Sequence, residues 1–132
     1  MQTLPVQPFF QVHFSTFQDG LRAYVTGYNG SLECTLAYWR MIAVELRERR
    51  PAQLLVVDVM DGGVPPPEQL LDFVRLMVDE DLHELRIAYV EDKPDSIPKV
   101  ELAGIFAHEH GFWVQIFDSE VAAMTWLRYG AT

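Results

Sequence analysis

The chain has 132 residues, 49% of them hydrophobic and 12% aromatic, which is enough apolar surface for one ordinary core and too much for a disordered chain. Ten Lys and Arg against 19 Asp and Glu give a net charge of −9, so nucleic acid and anionic membranes are excluded as expected partners by average repulsion. A single cysteine, Cys34, admits no intramolecular disulfide. With no long uncharged apolar run and no basic-then-apolar leader at the start, a cytoplasmic protein without membrane insertion is expected.

From Phe9 to Phe17 polar and apolar residues roughly alternate, predicting a strand with one wet face. Asp19-Gly20 turns the chain and Leu21 to Tyr28 alternates again, so an antiparallel hairpin is the shortest connection. Asn29-Gly30-Ser31 supplies capping oxygens for a helix from Leu32 to Arg50, which Pro51 stops. Arg47, Arg49 and Arg50 form the only basic cluster, at the carboxyl end of that helix, where they complement its dipole. Gln53 to Asp58 is a continuous apolar run, as in a central parallel strand buried on both faces. Asp61 to Glu68 is a loop rich in Gly and Pro, and a second helix runs from Pro66 to Asp81 with Leu70, Phe73, Val74, Met77 and Val78 as its stripe. Leu85 to Glu91 is a strand, Asp92 to Ser96 a polar loop, and Pro98 to His110 a helix ended by Gly111. Phe112 to Phe117 is the last strand and a helix capped by Asp118 or Ser119 runs through Arg128. The predicted class is α/β: one domain with an opening hairpin, right-handed crossovers, and a mostly parallel sheet of about five strands and four helices. Residues 1–8 read as an irregular tail.

Asp58 and Asp61, with Glu91 and Asp92, stand where strands end, which is where open α/β sheets place ligands and where carboxylates could hold Mg²⁺. Yet Asp58-Val59-Met60-Asp61 is one residue too long for an Asp-x-Asp phosphatase pair, and strand-end acids also arise as loop solvation. Gly62-Gly63 lacks both the P-loop tail and the dinucleotide fingerprint, and the three following prolines remove N–H groups that a phosphate would need. His108-Glu109-His110 puts its imidazoles about 200° apart on a helix, so no zinc site is expected. No Ser or Thr lies between Thr35 and Ser96, which leaves the central loop without a nucleophile. Neither a cofactor nor a metal is expected, and the chain reads as a non-enzyme. The first helix carries more apolar residues than one stripe needs: with Leu32, Leu36, Trp39, Ala43 and Leu46 on the sheet, Tyr38, Met41 and Ile42 are left for an interface or a groove. The alternative is that Leu4, Val6 and Phe9 fold over that face.

The hairpin, the helix and then VVDVMDGG before an amphipathic helix resemble the STAS domain of bacterial anti-sigma-factor antagonists, the SpoIIAA-like fold. The closing segment Phe117 to Leu127, with its strand-end Phe, spaced Ala and Trp126-Leu127, looks like the STAS/Sec14-like branch of small bacterial proteins. The similarity runs from Phe9 to Leu127. It implies a regulatory module whose partner is released when a Ser or Thr at the helix after the third strand is phosphorylated; here Asp61 to Glu68 has no hydroxyl, so that switch is not expected. The resemblance also implies a runner-up, an apolar ligand lined by Trp39, Met41 and Trp113.

The leading expectation is therefore a protein-interaction module. Asp58, Asp61, Gly62, Gly63, Pro65 and Glu68 form its partner-binding loop, facing a basic protein partner. Tyr38, Trp39, Met41 and Ile42 form an apolar interface or ligand groove, with a homodimer through that helix as a further expectation. A metal-dependent hydrolase using Asp58 and Asp61 is a distant third.

Overall fold

The computed structural model describes residues 9–130. The predicted hairpin forms from β1 (Phe10–Phe17) and β2 (Gly20–Asn29). Its loop is Gln18-Asp19 rather than Asp19-Gly20, because Gly20 already pairs with Phe17 and lies under the Phe17 ring, where a Cβ would stand 2.2 Å from the ring. There follow α1 (Leu32–Arg49), β3 (Gln53–Asp58), β4 (Asp61–Gly62), α2 (Pro67–Met77), β5 (Arg86–Glu91), α3 (Ile97–Glu109), β6 (Trp113–Phe117) and α4 (Glu120–Tyr129). The second helix tightens into a 3₁₀ turn at Val78–Glu80, short of the expected Asp81, and the two-residue β4 was not foreseen.

The sheet order is β1-β2-β3-β5-β6, antiparallel in the hairpin and parallel elsewhere, with β4 resuming beside the end of β2. β3, β5 and β6 are each added on the same side of the sheet, one beside the next. Right-handed crossovers then place α1, α2 and α3 on one face, where they enclose the main core with Leu21, Leu54, Val56 and Ile87. After the edge strand the chain folds back, and α4 covers the other face against Leu55, Val57, Ala88 and Val90. Among the described residues, no helix is long and apolar enough to cross a membrane.

Strand parity decides what each face receives. Leu54, Val56 and Asp58 share the three-helix face with Ile87, Tyr89 and Glu91, while Arg86 and Gln53 point to α4. Arg22 of β2 ties α4 down through a two-pronged pair with Glu120, at 2.5 and 3.2 Å. Ser119 caps α4 by accepting the Ala122 N–H at 3.2 Å. Ser119→Ala should cost about 1 kcal/mol in a urea melt; no change would mean that solvent caps this end equally well.

The excess apolar surface of α1 is used differently from the expectation. The buried stripe is Thr35, Tyr38, Trp39, Ile42, Ala43 and Leu46. Tyr38 is 2% exposed and Ile42 fully buried, so neither is available to a second copy, and the helix shows solvent only Met41, at 44%, and Val44 among its large apolar residues. The homodimer surface of Tyr38, Met41 and Ile42 is therefore not formed. Leu4 and Val6, offered as its alternative cover, lie outside the described residues, and Phe9 is exposed.

Candidate functional site

Between the sheet and α1, α2 and α3 lies a cavity of about 110 Å³. Its floor is Ile87, Tyr89, Val114 and Ile116; its walls are Tyr38 and Trp39 of α1, Phe73 and Val74 of α2, and Val100 and Ala103 of α3. The helices stand over it because Gly104 lets α3 approach Ile116, where an added Cβ would already be at 3.2 Å. Asp61, Gly62 and Gly63, all exposed, mark its mouth at the carboxyl edge of the sheet. Gly62 is needed there. Its φ is +97, and a Cβ would sit 2.1 Å from the Asn29 carbonyl oxygen.

One end of the cavity is polar. Asp58 and Glu91 are register partners on adjacent parallel strands, about 4.8 Å apart, and their side chains share one face. They are 6% and 4% exposed. Tyr89 donates a short hydrogen bond to Asp58 Oδ2. Since that uses its single proton, the 3.1 Å contact between the two phenols is Tyr38 donating to the Tyr89 oxygen. Asp58 Oδ1 accepts the Met60 N–H at 2.9 Å, closing an Asx turn that swings the chain into the mouth loop. Glu91 Oε2 accepts the Lys93 N–H at 3.1 Å, and its other oxygen takes no hydrogen bond from the described residues. Beside them, buried Asn29 donates to Thr35 Oγ1 at 3.0 Å.

Burial raises the pKa of both carboxyls, Glu91 to about 7 with a further push from the Asp58 charge, and Asp58 upward against the opposing bond from Tyr89. Burial also holds Tyr38 and Tyr89 well above the usual tyrosine range, so both remain neutral donors. Among the described residues, no Lys, Arg or His lines the cavity. The nearby Lys93 ammonium is engaged by Asp92 at 3.2 Å and Asp61 at 3.6 Å. The arrangement can enclose a small apolar body, offer acceptors to one polar group, and exchange a proton at Glu91 near neutral pH.

The expected partner loop is divided by the structure. Asp58 is not presented to solvent but buried in the cavity, and Pro65 is buried in its lining. Asp61, Gly62 and Gly63 are exposed at the mouth, and Glu68 is exposed on the first turn of α2, away from the cavity lining. Of the expected groove, Tyr38 and Trp39 line the cavity, whereas Met41 and Ile42 do not. Trp113, offered as a ligand wall, is on the opposite face against Trp126. Asp58 and Asp61 engage different partners, and no group of three His, Cys, Asp or Glu among the described residues is placed to hold a metal. His110 directs Nδ1 to the Phe106 carbonyl at 2.9 Å in the helix cap. Tyr89, Asn29 and Thr35 were not foreseen as site residues. Alternation in Ile87-Ala88-Tyr89-Val90-Glu91 carried the signal for Tyr89, since it puts Tyr89 and Glu91 on one face.

No protein-family model matches the chain, and no curated protein is a significant match to it.

Proposed function

We propose that this chain is a binding domain for a small, mostly apolar molecule, held in the cavity beneath α1, α2 and α3. The supporting observation is an apolar chamber of about 110 Å³ with a few convergent polar groups at one end, the usual make-up of a small-molecule site. A cavity of roughly 150 Å³ in a protein core takes up benzene, so this smaller one suits at most a single small ring or a short branched chain, and not a lipid tail. The hairpin followed by β-α units supports a STAS-like reading of the fold, and the hydroxyl-free start of α2 at Pro66-Pro67 favours a ligand over phosphorylation as its input.

Filling the cavity tests the function. Benzyl alcohol in excess should raise the melting temperature of the natural chain, since a ligand at 100 times its Kd adds about 2.7 kcal/mol. In Ala103→Leu that shift should vanish while the unliganded protein melts at the same temperature or higher, because three carbons occupy existing space. A shift that survives in Ala103→Leu would place binding elsewhere and end the proposal.

A second reading, an interaction module for a basic protein, is favoured by the exposed loop Asp61 to Gly63, which β2 pairing and the bond from Gly63 N–H to the Asn29 carbonyl, at 3.0 Å, hold in one shape. Native mass spectrometry separates the two: retained mass that leaves on denaturation supports the small-molecule reading, and a bare chain favours the module.

A further inference from the structure

The apolar chamber explains the body of a ligand but leaves its polar end unexplained. Two buried carboxylates side by side in an apolar cavity are an expensive arrangement, and charged groups taken from water are ordinarily paired. Here no cationic side chain among the described residues lines the cavity. The bonds that these acids do receive come from one phenol and two backbone N–H groups, and one Glu91 oxygen is left open. What remains on offer at this end is acceptor capacity, whose complement is a group made only of donors.

We propose that the ligand is a small primary amine bound as its ammonium ion, with its three N–H donors seated between Asp58 and Glu91 and an aromatic or branched aliphatic body in the chamber. This rests on the reading of the cavity as a ligand site. An ammonium supplies three donors and the missing positive charge in one compact group. The body has an aromatic wall to pack against: Trp39 and Tyr89 both line the cavity and stack at 6.2 Å between centroids. An anionic ligand meets two carboxylates with no compensating base. A neutral alcohol of the same shape fits the chamber but leaves both acids without a counter-ion. The volume limits the body to about the size of benzene.

Isosteric pairs test the assignment on the full chain by calorimetry at pH 8: benzylamine against benzyl alcohol, and isoamylamine against isoamyl alcohol, with benzoate as the anionic control. The amines should bind at least tenfold more tightly than their alcohols, and benzoate should not bind. Glu91→Gln, which keeps the side-chain shape, should remove about tenfold of the amine preference and leave the alcohols unchanged. If amine and alcohol bind equally, or Glu91→Gln leaves the preference intact, the ammonium assignment falls while the chamber stands. If neither member of either pair binds, the chamber itself is not a ligand site and both proposals fall.

Discussion

Arg86→Ala is expected to destabilise the protein by about 3 kcal/mol, as much as the loss of a buried apolar side chain. Its guanidinium lies between two rings, 5.0 Å from the centre of Trp113 and 4.5 Å from that of Trp126. It donates to the carbonyls of Trp126 at 2.6 Å and Leu127 at 3.0 Å, and Gln53 adds a third bond to Leu127 at 2.6 Å. Those carbonyls belong to the last turn of α4, which carries the negative end of the helix dipole; the Trp126 carbonyl also accepts the Gly130 N–H at 2.8 Å. Charged hydrogen bonds of this kind contribute about 1.5–3 kcal/mol each, and the stacked rings add roughly 0.5–1. Part is offset, since Arg86 Nε, like Trp126 Nε1, is buried without a partner among the described residues. Arg86→Lys should recover less than half, because an ammonium cannot fork to two carbonyls while lying flat between rings. A urea melt in which Arg86→Ala loses under 1 kcal/mol would show that Trp113 and Trp126 hold α4 without it.

Stability should fall by about 2–3 kcal/mol as the pH rises from 5 to 8. The sign follows from the buried acids: Glu91 titrates near 7 in the fold against an ordinary 4.5, and Asp58 is shifted the same way. Below about pH 4.5 Glu91 is protonated whether folded or not and carries no penalty. Between 4.5 and 7 the unfolded chain releases its proton while the fold retains it, so unfolding becomes progressively easier, and above 7 the whole penalty is present. The charges acting on Glu91 are Asp58 and Asp92, which raise its pKa, and Lys93, which lowers it. General repulsion in a chain of net charge −9 adds its own slope, so Glu91→Gln is the control: it should flatten the profile between pH 5 and 8 and gain stability at pH 8. A natural chain as stable at pH 8 as at pH 5, or a Glu91→Gln profile of unchanged slope, would contradict the buried, unpaired setting of that side chain.

Strand periodicity and the breakers between strands were legible because each is a local property. Gln53-Leu-Leu-Val-Val-Asp58 is a short, continuous apolar run typical of a strand wet on neither face, and Pro51 and Gly111 end helices by their own geometry. The inward face of α1 was not legible, for a physical reason. With Leu32, Leu36, Tyr38, Trp39, Met41, Ile42 and Leu46 in one helix, several stripes can be drawn, and the choice falls on the one that includes Thr35, a polar residue that apolar periodicity passes over. Thr35 can be buried because Asn29, outside the helix, hydrogen-bonds to it. The cavity was equally out of reach, since it is bounded by three helices whose common face follows from the sheet order. Asp58 stood out as an acid at a strand end, but whether such an acid meets water or a buried phenol depends on Tyr89, 31 residues on.

The β1-β2-β3-β5-β6 order has a consequence for how the protein is made. Apart from the two-residue β4, which returns to β2, each strand beyond the hairpin docks beside the last strand of the main sheet to be synthesised, so the sheet can lengthen in step with translation without holding an edge open for a distant segment. The roof is laid in the same sequence, first α1, then α2, and only with α3 and β6 the remaining wall and part of the floor of the chamber. A nascent chain that stops after β5 therefore has both carboxylates and half a room around them. The chamber becomes enclosed only when the last quarter of the chain has emerged from the ribosome.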